Sequence, residues 1–186
     1  MNGVRRRLLF AGALAAWPRA RAAEAPAGLP PAPAGFTWIV ARNGVGTFLC
    51  PQGWFVKEES RGDTDALFIT KQDIAATGRF TVGMTIDRIA RVSRKAGSAS
   101  AWASGMAASL AKRREVLRSG VVKGAAGDMN VLRVRDAAAG VILHYITVAK
   151  DAEDAAWLLI FEAPEAEWDA DERVSRPMLN AFGLGR

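Results

Sequence analysis

Few side chains in this sequence can do acid–base or nucleophilic chemistry. His144 is the only histidine and Cys50 the only cysteine. A zinc site built from several His and Cys ligands, or an H-E-x-x-H helix, is excluded within one chain, so no metal is expected. Nor is a cofactor, because no phosphate loop or dinucleotide fingerprint is present. Cys50 and His144 are the one available thiol–imidazole pair. No activating phrase surrounds Cys50, and an unactivated cysteine packs as a small hydrophobe. There is no G-x-S-x-G elbow. Gly120, Gly124 and Gly127 lack the lysine–serine ending of a phosphate loop and read as turns. His144 shares a strand face with Ile142, Ile146 and Val148, which makes it first a structural histidine beside the core. As a base it would need an acid such as Asp87 or Glu162, and that set would define an exported small hydrolase. Asp87 reads as solvent-facing, and no residue is assigned a catalytic role.

Binding chemistry is better represented. Residues 88–118 carry eight bases, among them Arg91 and Arg94, and one acid; residues 151–172 carry nine acids and no base. Such runs are ordinarily two solvated surfaces. The sharper reading is a dipolar docking surface whose basic segment meets an acidic partner, an anionic lipid or an envelope polymer. Five tryptophans follow residue 22. Trp38, Trp102 and Trp157 fall on apolar faces and read as core. Trp54 and Trp168 lie near element ends and are the candidates for exposure, where an aromatic ring can hold a sugar or line the pocket of a small-ligand carrier. The candidate binding residues are therefore His144, Trp54, Trp168, Arg91 and Arg94.

Those residues must be placed by strands and two helices. Phe36, Trp38 and Val40 alternate, Asn43-Gly44 is the signal of a type I′ hairpin, and residues 45–50 return as its second strand. Trp54-Phe55-Val56 is extended, and residues 66–70 form a short apolar strand. Phe80, Val82, Met84 and Ile86 alternate with polar neighbours, the period of a half-buried strand. A helix capped by Ser98 or Ser100 then carries Trp102, Met106 and Leu110 on one stripe, with Lys112, Arg113 and Arg114 suiting its C-terminal dipole. Strands follow at 130–134, 141–149 and 156–161. Pro164 opens a last helix packed through Trp168, Val174, Met178, Leu179 and Phe182, which Pro177 should kink or divide. Strands arriving as consecutive neighbours predict an α+β domain, an antiparallel sheet flanked by helices.

The N-terminus reads as an address label. Arg5-Arg6-Arg7, the apolar run 8–17 and Ala20-Arg21-Ala22 are the three parts of a secretory signal, with cleavage after Ala22. Arg5-Arg6 with Leu8 and Leu9 fits a twin-arginine signal without its preceding Ser or Thr, so the Sec and twin-arginine routes both stay open. Residues 23–35, with Pro26, Pro30, Pro31 and Pro33, read as a Pro/Ala-rich tether. Residues 36–186 form the single domain. The chain has 25 Lys and Arg against 19 Asp and Glu. Five of the arginines precede residue 22, which leaves 20 cations against 19 acids in the remainder, net +1. That near-balance removes the global-charge case for nucleic acid. The rest of the chain has no apolar stretch long enough to span a bilayer, and one cysteine cannot close an internal disulfide, so the core alone must hold the domain.

The phrase Phe48-Leu49-Cys50-Pro51-Gln52-Gly53-Trp54, the strand Trp157-Leu158-Leu159-Ile160-Phe161 and the closing Pro164-Glu165 with Trp168 and Phe182 resemble the PsbP-like domains, over residues 36–183. The resemblance implies an α-β-α sandwich and an extrinsic, non-catalytic accessory protein; it transfers no functional residue. The expectation is an exported accessory or binding module, periplasmic or secreted, that docks to an envelope protein or complex.

Overall fold

Uninterrupted runs of buried residues mark the centre of the fold. In Val141–Lys150 and Ala155–Pro164 no residue is exposed and most are buried, as happens when a strand has layers on both faces. The computed structural model describes residues 26, 28–124 and 127–185; the proposed leader, 1–22, lies outside them. Along the described chain the strands are β1 Phe36–Val40, β2 Gly46–Pro51, β3 Phe55–Arg61, β4 Thr64–Thr70, β5 Gly83–Ala90, β6 Glu115–Gly124, β7 Gly127–Asp136, β8 Val141–Lys150, β9 Ala155–Pro164 and β10 Phe182–Leu184. The helices are α1 Ile74–Thr77, α2 Ser93–Ala96, α3 Ala99–Ala111 and α4 Trp168–Asn180. All pairings among the described strands are antiparallel, in two sheets: β1-β2-β10, and β3-β4-β5-β9-β8-β7-β6. The α+β class with a PsbP-like antiparallel sheet flanked by helices holds. The first hairpin, however, builds a sheet of its own, and β10 completes it.

One face of the large sheet presents Leu67, Ile69, Met84, Ile86, Trp157, Leu159 and Phe161 to the small sheet and to α4. The opposite face packs Leu132, Val134, Leu143, Tyr145 and Leu158 against Trp102 and Leu110 of α3. Trp157 joins the two sheets: its indole Nε1–H donates to the Val45 carbonyl at 2.8 Å, with the side chain fully buried. Arg88 and Lys150 lie over the same ring, at 5.6 and 5.1 Å from its centroid. Lys150 also donates to the Leu184 carbonyl at 3.0 Å, which holds β10 in place. Gly46 has φ 143° and abuts the Gly183 backbone, so β2 and β10 can pair only because position 46 has no Cβ.

Several local expectations are corrected by tertiary contacts. Asn43-Gly44 does not make a two-residue type I′ turn: Val40 pairs with Thr47, and Asn43 keeps a negative φ while Gly44 takes +79°. The Asn43 side chain instead donates to the Ala66 carbonyl at 3.0 Å, and Glu58 accepts from the Arg42 and Asn43 backbone N–H groups, tying this loop to β3 and β4. The fifth strand starts at Gly83, not Phe80, because Gln72 accepts from the Thr81 and Val82 N–H groups. Residues 115–124 form a strand, so Gly120 and Gly124 belong to β6 and not to free turns. Phe182 is in β10, stacked on Phe48, and not on the last helix. Pro177 lies near the end of α4, which continues undivided to Asn180. The described part of the proposed tether touches the domain: Leu29 and Ala32 pack on the core, and Pro30 accepts from the Trp38 indole at 2.9 Å.

The charge segments meet as helix caps. Asp154 accepts from Ser93 N and Oγ at 2.8 and 2.7 Å, and Asp151 from Ser100 N and Oγ at 2.9 and 2.6 Å. Two acids from beyond β8 thus satisfy the open N–H groups of α2 and α3. Ser98 supplies its own cap to Ala101, as its position predicts.

Replacing Trp157 by Phe should cost about 3 kcal/mol, from the lost indole hydrogen bond, which leaves the Val45 carbonyl only its longer 3.4 Å bond from the Gly185 N–H, and from the space left beside it. The measurement is urea unfolding at neutral pH; an unchanged midpoint would mean that the two sheets are joined elsewhere.

Candidate functional site

The strand face that carries His144 runs beyond the shelter of α4. Ile142, His144, Ile146 and Val148 alternate toward it along β8, and Met129, Val131 and Arg133 do so along β7. β6, at the sheet edge, adds Arg118 and Val122. Helix α4 brings Glu172, Arg176, Leu179 and Asn180 down along the other side. Between them lies a groove of about 290 Å³. Gly120 falls between Arg118 and Val122 on β6, opposite Val131, and a Cβ there would meet nothing within 4 Å.

Arg133 organises the polar end. Register sets it directly opposite His144 on β7. Its guanidinium lies 5.0 Å above the Trp168 ring, donates to Glu172 at 2.5 Å and approaches His144 Nδ1 at 3.4 Å. A guanidinium has only donors, so Nδ1 is the acceptor and the imidazole proton sits on Nε2. Burial pushes the His144 pKa down to about 4; the positive charges of Arg133 and, more weakly, Arg118 add to this, and Glu172 opposes it. At neutral pH the ring is uncharged and a weak base, far from the matching of pKa to operating pH that base catalysis needs. Arg118 and Arg176 are exposed and have no carboxylate within ion-pairing distance among the described residues.

The sequence-derived candidates separate on this geometry. His144 lines the groove. Trp168 does not, and it is not exposed: it is buried edge-on against Phe161, under the Arg133 guanidinium, because α4 starts at this residue and its first turn points into the core. Trp54 is half-buried against the main core, outside the groove. Arg91 has φ 56° and pairs with Asp63, and Arg94 sits on α2. Both lie past the Ala90–Ala155 end of the sheet, whereas His144 is six residues in from the Lys150 end of β8, about 20 Å along the strand.

The acid–base sets considered for an enzyme are also taken apart. Asp87 and Glu162 pair with Leu158 and Leu143, on the α3 face, so the thickness of the sheet separates them from His144. Burial raises both carboxyl pKa values. Cys50 is buried in the small sheet, its thiol pushed up to about 11 by desolvation, which keeps it protonated. Nor do the two charge runs face outward as intact opposites. Of the nine acids, Asp151 and Asp154 cap helices, and Glu153, Glu165, Asp171 and Glu172 pair with Lys150, Arg135, Lys71 and Arg133.

Sequence reasoning missed Arg133, Glu172 and Arg176. The alternation of Arg133 and Arg135 with Leu132 and Val134 was the one local signal; its pairing with His144 depends on strand register. A second hollow, lined by Trp38, Val40, Arg42, Val56 and Glu58, has its acid occupied by the Arg42 and Asn43 backbone.

The architecture is that of a PsbP-like α+β sandwich, with no helix among the described residues long and apolar enough to cross a membrane. Two solved structures share it. The cyanobacterial PsbP (CyanoP) of Synechocystis sp. PCC 6803 superposes with a TM-score of 0.53 at 11% identity, over 87% of this chain and 98% of that one. The Saccharomyces cerevisiae Ran-binding protein Mog1p superposes with a TM-score of 0.51 at 11% identity, over 80% and 95%. No family model and no curated protein matches the chain. At that identity the likeness is one of fold.

His144 carries a pH signature. Its folded pKa lies below the unfolded value of 6.5, so between those values the unfolded chain binds a proton that the native chain refuses. Stability should therefore fall by about 1–2 kcal/mol from pH 7 to pH 5. His144→Gln should remove that part of the slope in urea titrations. An equal slope in both proteins would mean that the imidazole is protonated in the native state.

Proposed function

We propose that this chain is an exported, non-catalytic binding module, carried to the periplasm or beyond by its N-terminal signal and serving as an accessory to an envelope protein or complex. The observation that supports it best is the state of the groove. Its one histidine is neutral and weakly basic, the acids that would complete a hydrolase lie through the sheet, and its cations Arg118 and Arg176 have no ion-pair partner among the described residues. Such a site is built to hold a negatively charged group and has no group poised to transform it. Fold alone does not fix function. The likeness in fold to Mog1p, a Ran-binding protein, agrees with a binding role.

The hydrolase reading loses its acid–base pair. The carrier reading moves from Trp54 and Trp168 to the groove.

The test is native mass spectrometry of the protein released gently from its own envelope. The mature chain should begin at Ala23 and carry a partner or ligand, and the double change Arg118→Glu with Arg176→Glu should reduce that occupancy about tenfold or more. The same reversal at Arg94 and Lys95 should leave it unchanged. A chain retained in the cytoplasm, or full occupancy in the groove variant, would count against the proposal.

A further inference from the structure

We propose that the groove between β6–β8 and α4 is a site for a small organic carboxylate with an apolar body. The inference rests on reading the groove as a place of recognition and adds the chemistry of what it recognises. Its volume, about 290 Å³, is at the lower end of ligand pockets, which run to about 300–1,000 Å³. The space therefore suits one compact molecule better than a folded partner.

Its lining has two parts. Val122, Val131, Ile146 and Leu179, from three strands and the helix, form an apolar wall. Arg118, Arg133 and Arg176 are set against the single carboxylate of Glu172. Glu172 is engaged by Arg133, so this pair is internally neutral and the other two guanidiniums are left to counter a charge from outside. A guanidinium fork matches a planar carboxylate with two parallel hydrogen bonds. His144 offers Nε2–H as a further neutral donor, because Nδ1 is turned to Arg133. Donors thus dominate the polar end, and the one acid present is already occupied. A neutral amide or a cation would leave the guanidiniums unanswered, and a ligand without an apolar body would leave the wall wet.

The Arg133 assembly has a positioning role. The Trp168 ring beneath it and Glu172 beside it keep Arg133 from swinging into the groove and filling the anion position itself. The apolar body fits against the wall at Val131, whose register partner on β6 is Gly120; a Cβ at 120 would meet no protein atom within 4 Å, so the position leaves that space open.

The experiment uses the folded chain with 3-phenylpropionate and 4-methylpentanoate as probes, and 3-phenylpropionamide as the uncharged control, by isothermal titration calorimetry and thermal shift. At least one carboxylate should bind with Kd at or below about 1 mM, and the amide about tenfold or more weakly. Gly120→Phe should abolish binding while the melting temperature of the free protein is kept, because a Cβ at this strand position meets no protein atom within 4 Å. Arg118→Gln with Arg176→Gln should weaken the carboxylate about tenfold or more and leave the amide unchanged. Equal binding of acid and amide, binding that survives Gly120→Phe, or no carboxylate binding in that range would overturn the proposal. Binding only of an acidic peptide would overturn it too and assign the groove to a protein partner. Hydrolysis of the amide probe by the wild-type chain would remove the non-catalytic reading and leave carboxylate binding standing, so the two ideas fail separately.

Discussion

The hydrogen bond from the Trp157 indole to the Val45 carbonyl is the constraint on which the rest of the molecule turns. Trp157 lies on β9, in the middle of the large sheet, and its ring is fully buried. A buried N–H without a partner is costly, and here the partner is a backbone carbonyl of the β1–β2 loop. The bond sets where the small sheet sits on the large one. Lys150, over the same ring, reaches the Leu184 carbonyl and fixes β10. Because β10 directly follows α4, anchoring that strand also anchors the end of the helix. A contact at the Lys150 end of β8 thus adds to the core contacts of Trp168, Met178 and Leu179 in placing the helix that borders the groove.

Within the groove, burial and charge act together on His144. Desolvation disfavours the imidazolium, and a guanidinium beside it does the same. Glu172 opposes this but spends most of its interaction on Arg133, which is also held by the Trp168 face. The result is a packed cluster at one end, in which the Arg133 Nε alone is buried without a partner, and at the rim two exposed cations with no ion-pair partner among the described residues. This arrangement differs from a catalytic pair, in which an acid orients a base toward a reacting atom. The acids that would have served, Asp87 and Glu162, are near His144 along the chain or across the sheet, yet they point to the other face.

The elements were largely legible because they rest on local periodicity. Alternation marked β1, β5, β7 and the continuous apolar runs of β8 and β9, and the four-residue stripe of Trp102, Met106 and Leu110 marked α3. β6 was not legible: an edge strand with Arg118, Ser119 and Gly120 at its centre lacks the apolar alternation that a buried strand needs, and its pairing with β7 supplies what its composition does not. The Asn43-Gly44 turn was misread because the Asn43 side chain found partners on β4, which its own hairpin cannot reveal. Trp168 was misread for a related reason: the end of an element is an exposed place only when nothing packs over it.

By itself, the sequence determined the α+β class, the antiparallel pairing of its strands though not their order, the core faces, the near-neutral charge of the chain after residue 22, and the shortage of catalytic groups. These follow from side-chain period and composition, which act over a few residues. Only the tertiary structure decided that the strands divide into two sheets, that Arg133 stands opposite His144, that the acidic run caps the helices of the basic one, and that a groove opens beside α4. Each of these depends on strand register and on contacts between residues tens of positions apart, where one step along a strand moves a side chain to the opposite face.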